Sequence, residues 1–406
     1  MTTLRKPRDG RPFGTTFALV SALFIMALAA GCSRTVVKTT QQTPLAVVNQ
    51  AIPEQQLIDV GIVVFDPGLE DMDDDPLIPI FPEVRRAESH YFAVQLMDAM
   101  QMSAGWGAVR VVPDDTAAVD LVITGKILSS DGERLELKIH AEDASGVEWL
   151  DKKYEQVASH YSYEPRSGIE HDPFVGLYNR IANDLLTYRQ SQTAEQLTKL
   201  RTVSELKFAR DFSPEAFNSH IHVDKNGVYQ VQRLPAANDP MLERIRDIRE
   251  RDYLFIDTLQ EYYGSFVREM EAPYEEWRSQ TYDEVIAVRE LRQQSINRTI
   301  AGVASVVGGV MAAGSGSGST RAAGQIGIAG GGYLIKEGFD KRADSKMHVE
   351  ALQELGDSLE ADVEPHFFEL EDRTVTLTGS VENQYQQWRK MLRDIYQLET
   401  GGVTTE

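Results

Sequence analysis

Between residues 57 and 160, the spacing of hydrophobic positions switches between strand-like and helix-like periods. Short apolar or alternating runs ended by turn residues predict five strands, at 59–65, 108–112, 120–127, 135–140 and 147–157. Between the first two runs, residues 83–102 carry apolar side chains at helical spacing. The order β-α-β-β-β-β predicts a small α+β domain with one helix packed across the sheet.

Residues 161–298 have mainly helical periodicity, with a short strand expected at 228–232. Asp239-Pro240 has the pattern of a helix start and predicts a long helix from about residue 240. Its apolar residues recur at spacings of three and four, interrupted by Asp252: Met241, Ile245, Ile248, Phe255, Leu259, Tyr262 and Phe266. Such a stripe, close to a heptad seam, indicates packing against a partner helix in this chain or another.

Pro273 is expected to end or kink the long helix, because its ring removes a backbone donor and crowds the preceding turn. A further helix is therefore predicted over residues 274–298.

Small residues dominate 299–340, where two nearly uncharged runs flank the polar turn 314–321. Residues at spacings of four would let another backbone approach closely, and we assign helix association to Ala301, Ser305, Gly309, Ala313, Gly327 and Gly331. The predicted glycine-zipper hairpin has helices of about 22 Å, shorter than the ~30 Å hydrocarbon core. Membrane insertion as an oligomer, a tightly packed soluble hairpin and a flexible linker all remain open.

The C-terminal region, residues 341–406, predicts a small α+β unit of a helix, a hairpin near 367–379 and a final amphipathic helix. The segment Val375–Val381 followed by a helix is similar to half of the BON domains of periplasmic lipid-binding proteins. The fold class predicted for the whole chain is thus α+β, with a long helical middle.

The N-terminus has the three parts of an export signal. Basic residues at 5, 6, 8 and 11 precede the apolar run Phe17–Leu28, which is too short to span a membrane. Ala29-Ala30-Gly31-Cys32 then resembles the lipobox of bacterial lipoproteins, although Leu is usual where Ala29 stands. The alternative is an ordinary secretory signal, residues 1–31, followed by an incidental thiol.

The lipobox resemblance implies that Cys32 becomes a lipidated N-terminus carrying fatty acids such as palmitate. Ser33 follows it where retention in the inner membrane would require Asp, which implies transfer to the outer membrane, on its periplasmic face. Cys32 is the only cysteine, so an intramolecular disulfide is excluded. Residues 32–56 have little periodicity and are interpreted as a lipid-anchored tether.

The net negative charge of the chain restricts which molecules it can bind. The chain carries a formal charge of −21, and removal of the signal leaves 37 basic and 61 acidic residues, or −24. Such a surface repels nucleic acid and anionic headgroups, so membrane lipid is expected to be contacted through the Cys32 anchor.

Residues 57–160 also carry a family resemblance. The Gly105-Trp106-Gly107 corner and the phrase Asp120–Gly125, in this element order, look like periplasmic domains of two lipoprotein-linked systems. One is the curli-secretion channel lipoprotein family, and the other is the amino-terminal domain of the Tol-Pal propeller protein. The resemblance implies an outer-membrane-associated assembly or transport component without catalytic residues.

Candidate chemistry is sparse. Asp71, Asp73 and Asp75 have the spacing that begins a calcium loop, but Pro76 replaces the required glycine, so a solvated acidic loop is the preferred interpretation. His220 and His222 can share a strand face and bind metal, although a polar strand is the simpler interpretation. Known nucleophile and phosphate-binding motifs are absent from the sequence. We therefore expect no enzyme activity and no cofactor beyond the covalent lipid.

Three functions follow from these features. The first is a non-enzymatic scaffold or assembly subunit of an envelope complex, as a homo-oligomer or with an envelope protein partner. The second is an oligomeric transport or secretion channel that inserts the glycine-rich hairpin. The third is an envelope hydrolase of unrecognised type, because a carboxylate pair can hide among so many acidic residues.

Overall fold

Alternating and β-branched runs produce a mixed five-stranded sheet, and the α+β class is confirmed. The computed structural model describes residues 43–71, 82–163, 172–312, 366–370 and 373–400. The strands of this sheet are β1 (Val60–Val63), β2 (Val109–Val112), β3 (Leu121–Ser130), β4 (Arg134–Asp143) and β5 (Glu148–Val157). Their spatial order is β2-β1-β3-β4-β5; β1 runs parallel to both of its neighbours, β2 and β3, whereas the β3–β4 and β4–β5 pairs are antiparallel.

Two helices, rather than the single one predicted, pack on this sheet. Helix α1 (Pro82–Met102) contacts β1, β2 and β3, and helix α2 (Val175–Ser191) contacts β5 and α1. They cover the face that carries Ile62, Ile123 and Ile139, all fully buried. The second helix completes the core because α1 alone does not reach the β4–β5 side of the sheet.

Close packing accounts for glycines in the two phrases of the family resemblance. A Cβ on Gly107 would lie 2.4 Å from Asp59 Oδ1, which already accepts a hydrogen bond from the Ala108 amide. A Cβ on Gly125 would lie 2.5 Å from the ring of Phe65. Both glycines are therefore required by local packing.

Residues 43–46 lie along α2 rather than apart from the domain, and residues 54–56 contact the helix that follows α2. The Asn179 side chain donates to the Thr43 carbonyl at 2.9 Å, and Asn183 bonds Pro44 and Ala46 at 3.0 and 2.8 Å. Helix side chains thus form the hydrogen bonds that the backbone of this extended segment requires. Such contacts are polar, so no hydrophobic periodicity in the sequence predicts them. Residues 32–42 lie outside the described part.

A second layer follows α2. It contains α3 (Ala194–Phe212), the short α4 (Pro214–Phe217), and the hairpin β6 (Ile221–Val223) and β7 (Tyr229–Val231). Thr193 and Gln196 form a capping box at the start of α3, and the strand predicted at 228–232 is confirmed.

The long helix α5 (Pro240–Ala312) has 73 residues, which corresponds to about 110 Å at 1.5 Å per residue. Its predicted start is confirmed, since Asp239 Oδ1 accepts the Met241 amide at 2.9 Å. Of the two outcomes expected at Pro273, an end of the helix is wrong, because the helix continues through the proline. Met270 and Tyr274 are fully buried on either side, and this packing holds the helix across the missing hydrogen bond.

The partners of the apolar stripe lie in the same chain. Helix α5 contacts α1, β2, α3 and the C-terminal helix α6 (Val381–Thr400). Most predicted stripe residues are buried, with Met241 and Tyr262 at the margin, and further buried positions make the stripe wider than a heptad seam: Leu242, Ile256 and Tyr263. A wide stripe is what a helix enclosed by several elements requires.

The end of α5 reaches the small-residue region. The helix includes Ala301, Ser305 and Gly309, whereas Ala313, Gly327 and Gly331 lie outside the described residues. The predicted hairpin therefore stays a prediction. Within the part of the chain that the structure describes, no helix is both long and apolar enough to cross a membrane.

The C-terminal predictions are confirmed where they are described. Strands β8 (His366–Leu370) and β9 (Arg373–Leu377) form an antiparallel hairpin, and α6 follows it. The helix expected near 347–359 lies outside the described residues.

Candidate functional site

Buried charges fix α5 at three places, and the first is Arg278. Its guanidinium is fully buried and donates from Nη1 to Asp172 Oδ1 at 2.9 Å. Tyr91 donates to the other carboxylate oxygen at 3.0 Å, and the Tyr274 ring lies 4.3 Å from the guanidinium carbon. Burial lowers the pKa of Arg278, but Asp172 and the surrounding tyrosines outweigh it and hold the pKa above its usual range.

Glu88 extends this first cluster to the sheet. Its Oε1 accepts hydrogen bonds from Tyr274 and Ser130, each at 2.6 Å, and its Oε2 lies 3.7 Å from Arg85. Burial raises the pKa of the Glu88 carboxyl, although Arg85 and both hydroxyl donors oppose the shift. One polar cluster therefore joins α1, the end of β3 and α5.

The second place is Arg249. Its Nη2 donates to the Ala118 carbonyl at 2.9 Å and to Ser204 Oγ at 3.0 Å, and it lies 3.7 Å from Asp120 Oδ1. Asp120 is buried and accepts the Asp59 amide at 2.9 Å, while burial raises the pKa of its carboxyl despite Arg249. The first residue of the Asp120–Gly125 phrase thus has a structural role where the sheet meets α5.

The third place is Asp252, the residue that interrupts the apolar stripe. It is fully buried and pairs with Arg389 Nη1 of α6 at 3.3 Å, while Tyr385 donates to it at 3.4 Å. Burial raises the pKa of Asp252 to about 6, and Arg389 opposes that shift. The sequence places an acid, Asp252, in an apolar stripe and an arginine, Arg389, beside Trp388, but it does not identify the two as partners.

A polar cleft opens beside the third pair. It has a volume of about 500 Å³ and lies between the outer face of β3 and β4, the loop before β3, α3 and α6. Four basic side chains line it: Lys207, Arg210, Arg389 and Arg393. Asp211 pairs with two of them, at 3.0 Å from Arg389 and 3.3 Å from Arg393.

The remaining two cations of the cleft contact one aromatic ring. Lys207 Nζ lies 4.4 Å and Arg210 Cζ 5.0 Å from the centroid of Tyr229. Burial lowers the pKa of Lys207. Ser204, also in the lining, is engaged by Arg249 and donates to the Val119 carbonyl at 3.1 Å, so it is not placed as a nucleophile. The mixed charge of the lining suits a polar ligand or peptide segment.

The sequence-predicted site residues do not converge. Asp71 ends a short 3-10 helix, Leu69–Asp71, whereas Asp73 and Asp75 lie outside the described residues, as does Cys32. His220 is buried with Nδ1 3.0 Å from the Arg233 carbonyl, while His222 is exposed on β6. The two histidines therefore have separate environments.

The predicted element order of residues 57–160 is present, but an order of elements does not by itself identify a family. The three resemblances stated for the sequence, to the lipoprotein signal, to the periplasmic domains and to half of a BON domain, remain predictions. In comparisons with protein-family models, curated protein sequences and solved structures, nothing matches this chain.

Proposed function

We propose that the chain is a lipid-anchored outer-membrane protein that faces the periplasm and acts as a non-enzymatic scaffold or assembly subunit. One observation carries the proposal. Helix α5 is held in the folded body by ion pairs at Arg249, Asp252 and Arg278, and it continues as a helix into the small-residue segment. A helix fixed at one end can present its other end in a defined direction.

The type of contact supports this proposal. Buried ion pairs contribute little net stability compared with apolar packing, but each buried charge requires its counter-charge in one defined position. Arg249 faces the start of β3, Asp252 faces α6, and Arg278 faces the loop before α2. Three such pairs along α5 oppose its sliding or rotation against the folded body. A helix that presents a segment to a partner must be held in this way.

The anchor and the presented segment have separate roles in this proposal. Lipidated Cys32 attaches a strongly acidic chain to a membrane whose headgroups would repel it. Residues spaced by four at Ala301, Ser305 and Gly309 favour close approach of another helix, from a second copy or from an envelope protein.

A membrane-inserted channel is the alternative that shares these features, because small-residue ridges also pack helices within bilayers. Two variants separate the two functions. Cys32→Ala removes the lipid, and a scaffold variant should then partition into the aqueous fraction. A channel subunit should still require detergent after Cys32→Ala, and only the further deletion of residues 299–338 should release it.

The partition experiment measures the membrane-bound fraction after carbonate washing and the fraction that detergent extracts. A scaffold predicts that Cys32→Ala alone is sufficient for release. The proposal fails if Cys32→Ala remains in the membrane fraction until 299–338 is deleted.

A further inference from the structure

The outer face of the β4–β5 pair brings a histidine and two carboxylates together. His140 on β4 and Asp151 on β5 are direct cross-strand partners, and Glu148 begins β5. One potential ligand atom from each of the three lies within 4.8 Å of the other two. Strand pairing fixes the spacing of the Cβ atoms, so the cluster stands on a rigid framework.

The surroundings of His140 match those of a metal ligand. Its Nδ1 lies 3.8 Å from Glu148 Oε2, beyond hydrogen-bonding distance but suited to two ligands that share an ion. On the other side of the ring, Nε2 lies 4.0 Å from Glu142 Oε2. This distance is also beyond hydrogen-bonding range, and a small rotation would bring Glu142 to the position from which carboxylates orient metal-bound histidines.

We infer that His140, Glu148 and Asp151 bind a divalent transition-metal ion, with Zn²⁺ as the best match. Zinc accepts imidazole nitrogen and carboxylate oxygen at about 2.0–2.2 Å, whereas calcium and magnesium prefer oxygen ligands alone. All three side chains are partly or fully exposed, so small rotations can bring their ligand atoms together around the ion.

The position of the site points to an open coordination sphere. His140 also lines the 500 Å³ cleft, and three protein ligands leave a fourth position of a tetrahedral ion for water or a ligand. A bound ion would allow the cleft to bind an anionic group. Such binding is a property beyond the proposed scaffold role.

A lysine competes for the same cluster. Lys138 Nζ lies 3.2 Å from Asp151 Oδ1, and both side chains are about half exposed. A bound cation would have to share Asp151 with this ammonium group. Removal of the lysine charge should therefore strengthen metal binding, an effect that adventitious binding elsewhere would not show.

The test is isothermal titration calorimetry of the full-length chain in detergent with ZnCl₂, without a metal-binding tag. We expect His140→Ala to weaken zinc binding about tenfold or more, and Lys138→Gln to strengthen it. His222→Ala is the matched control, since this exposed histidine lies on β6 and outside the cluster. Circular dichroism verifies that each variant retains the wild-type helix content.

Loss of binding in His140→Ala together with wild-type binding in His222→Ala would support the site. Equal zinc affinity of wild type and His140→Ala would overturn it, as would equal losses in the two histidine variants. An unchanged affinity in Lys138→Gln would also contradict the assignment of Asp151.

Discussion

Burial of a guanidinium costs several kcal/mol of folding free energy. Contacts of Arg278 with one carboxylate and two aromatic rings offset this penalty. Asp172 supplies the charge, while Tyr274 and Phe174 face the cation at 4.3 and 5.7 Å. Two of its guanidinium nitrogens, Nε and Nη2, have no hydrogen-bond acceptor among the described residues. The contact thus depends heavily on Asp172.

Arg278→Ala should lower the free energy of unfolding by about 3–5 kcal/mol, because it leaves the Asp172 carboxylate buried without its cation. Arg246→Ala is the control, since Arg246 pairs with Glu205 at the surface and should cost at most about 1 kcal/mol. Urea unfolding followed by circular dichroism measures both. Similar costs for the two variants would show that Arg278 is not the critical contact.

Asp252 links stability to pH. Its folded-state pKa of about 6 lies above the ~3.9 of an unfolded aspartate, so between these values only the folded chain holds the proton. This group therefore reduces stability as the pH rises from about 4 to about 6. Other carboxyls contribute in both directions, since Lys152 and other neighbours lower the pKa of Asp184 against the effect of its burial.

Comparison with Asp252→Asn isolates this contribution. Because asparagine does not titrate, the stability of the variant relative to wild type should increase from pH 4 to pH 6.5, by at most about 3 kcal/mol. Urea unfolding across that range measures the difference. Parallel stability curves for the two proteins would contradict the raised pKa.

At the scale of elements, glutamine side chains cover the β2 edge of the sheet. Strand β2 is an edge strand, and the Gln260 side chain accepts the Val111 amide at 2.9 Å and donates to the Val111 carbonyl at 2.8 Å. Gln101 of α1 adds a hydrogen bond to the Val109 carbonyl at 2.9 Å. Two glutamines thus occupy backbone groups that would otherwise invite pairing with another strand.

Gln260→Ala should lower the free energy of unfolding by about 1–3 kcal/mol, because it leaves the partly buried backbone groups of Val111 without partners. Gln280→Ala is the control on the same helix, since among the described residues Gln280 is hydrogen-bonded only to Glu276, at the surface. Chemical unfolding measures stability, and light scattering measures aggregation through the uncovered edge. Equal effects of both substitutions would refute the proposed role of Gln260.

Helices and strands that bury one face have a regular spacing of hydrophobic residues, so they were predictable from the sequence. The strands of the sheet, the start of α5 at Asp239 and the final helix α6 all match their patterns. Two features could not be predicted from local pattern. Pro273 continues a helix because of tertiary packing, and residues 43–46 are held by polar bonds to α2. Both depend on groups distant in the sequence.

The same limit applies to the candidate sites. Asp252 and Arg389 are separated by 137 positions, so only the folded chain reveals their pairing. His140 and Glu148 stand on neighbouring strands, and their proximity depends on a register shift beside Ala141. The resemblance to a lipobox, in contrast, rests on the local sequence of residues 29–32 alone.

At the scale of the whole molecule, the long helix α5 connects the folded body around the sheet with the small-residue segment that we propose it presents to a partner. The five-stranded sheet and the helices around it pack against its first part, and its last turns are rich in small residues. The lipid on Cys32 would confine this arrangement to a membrane surface, where tethered copies meet at high local concentration. Such confinement would favour the oligomeric assembly that we propose.

Photo-crosslinking in intact cells tests the scaffold proposal most directly. A photoreactive residue at Ser305 should yield a discrete adduct with a second copy or an envelope protein, identified by mass spectrometry. The same residue at Asn226, in the exposed turn between β6 and β7, should yield none. An absence of adducts at Ser305, or identical adducts at both positions, would contradict the proposed presentation of the small-residue segment.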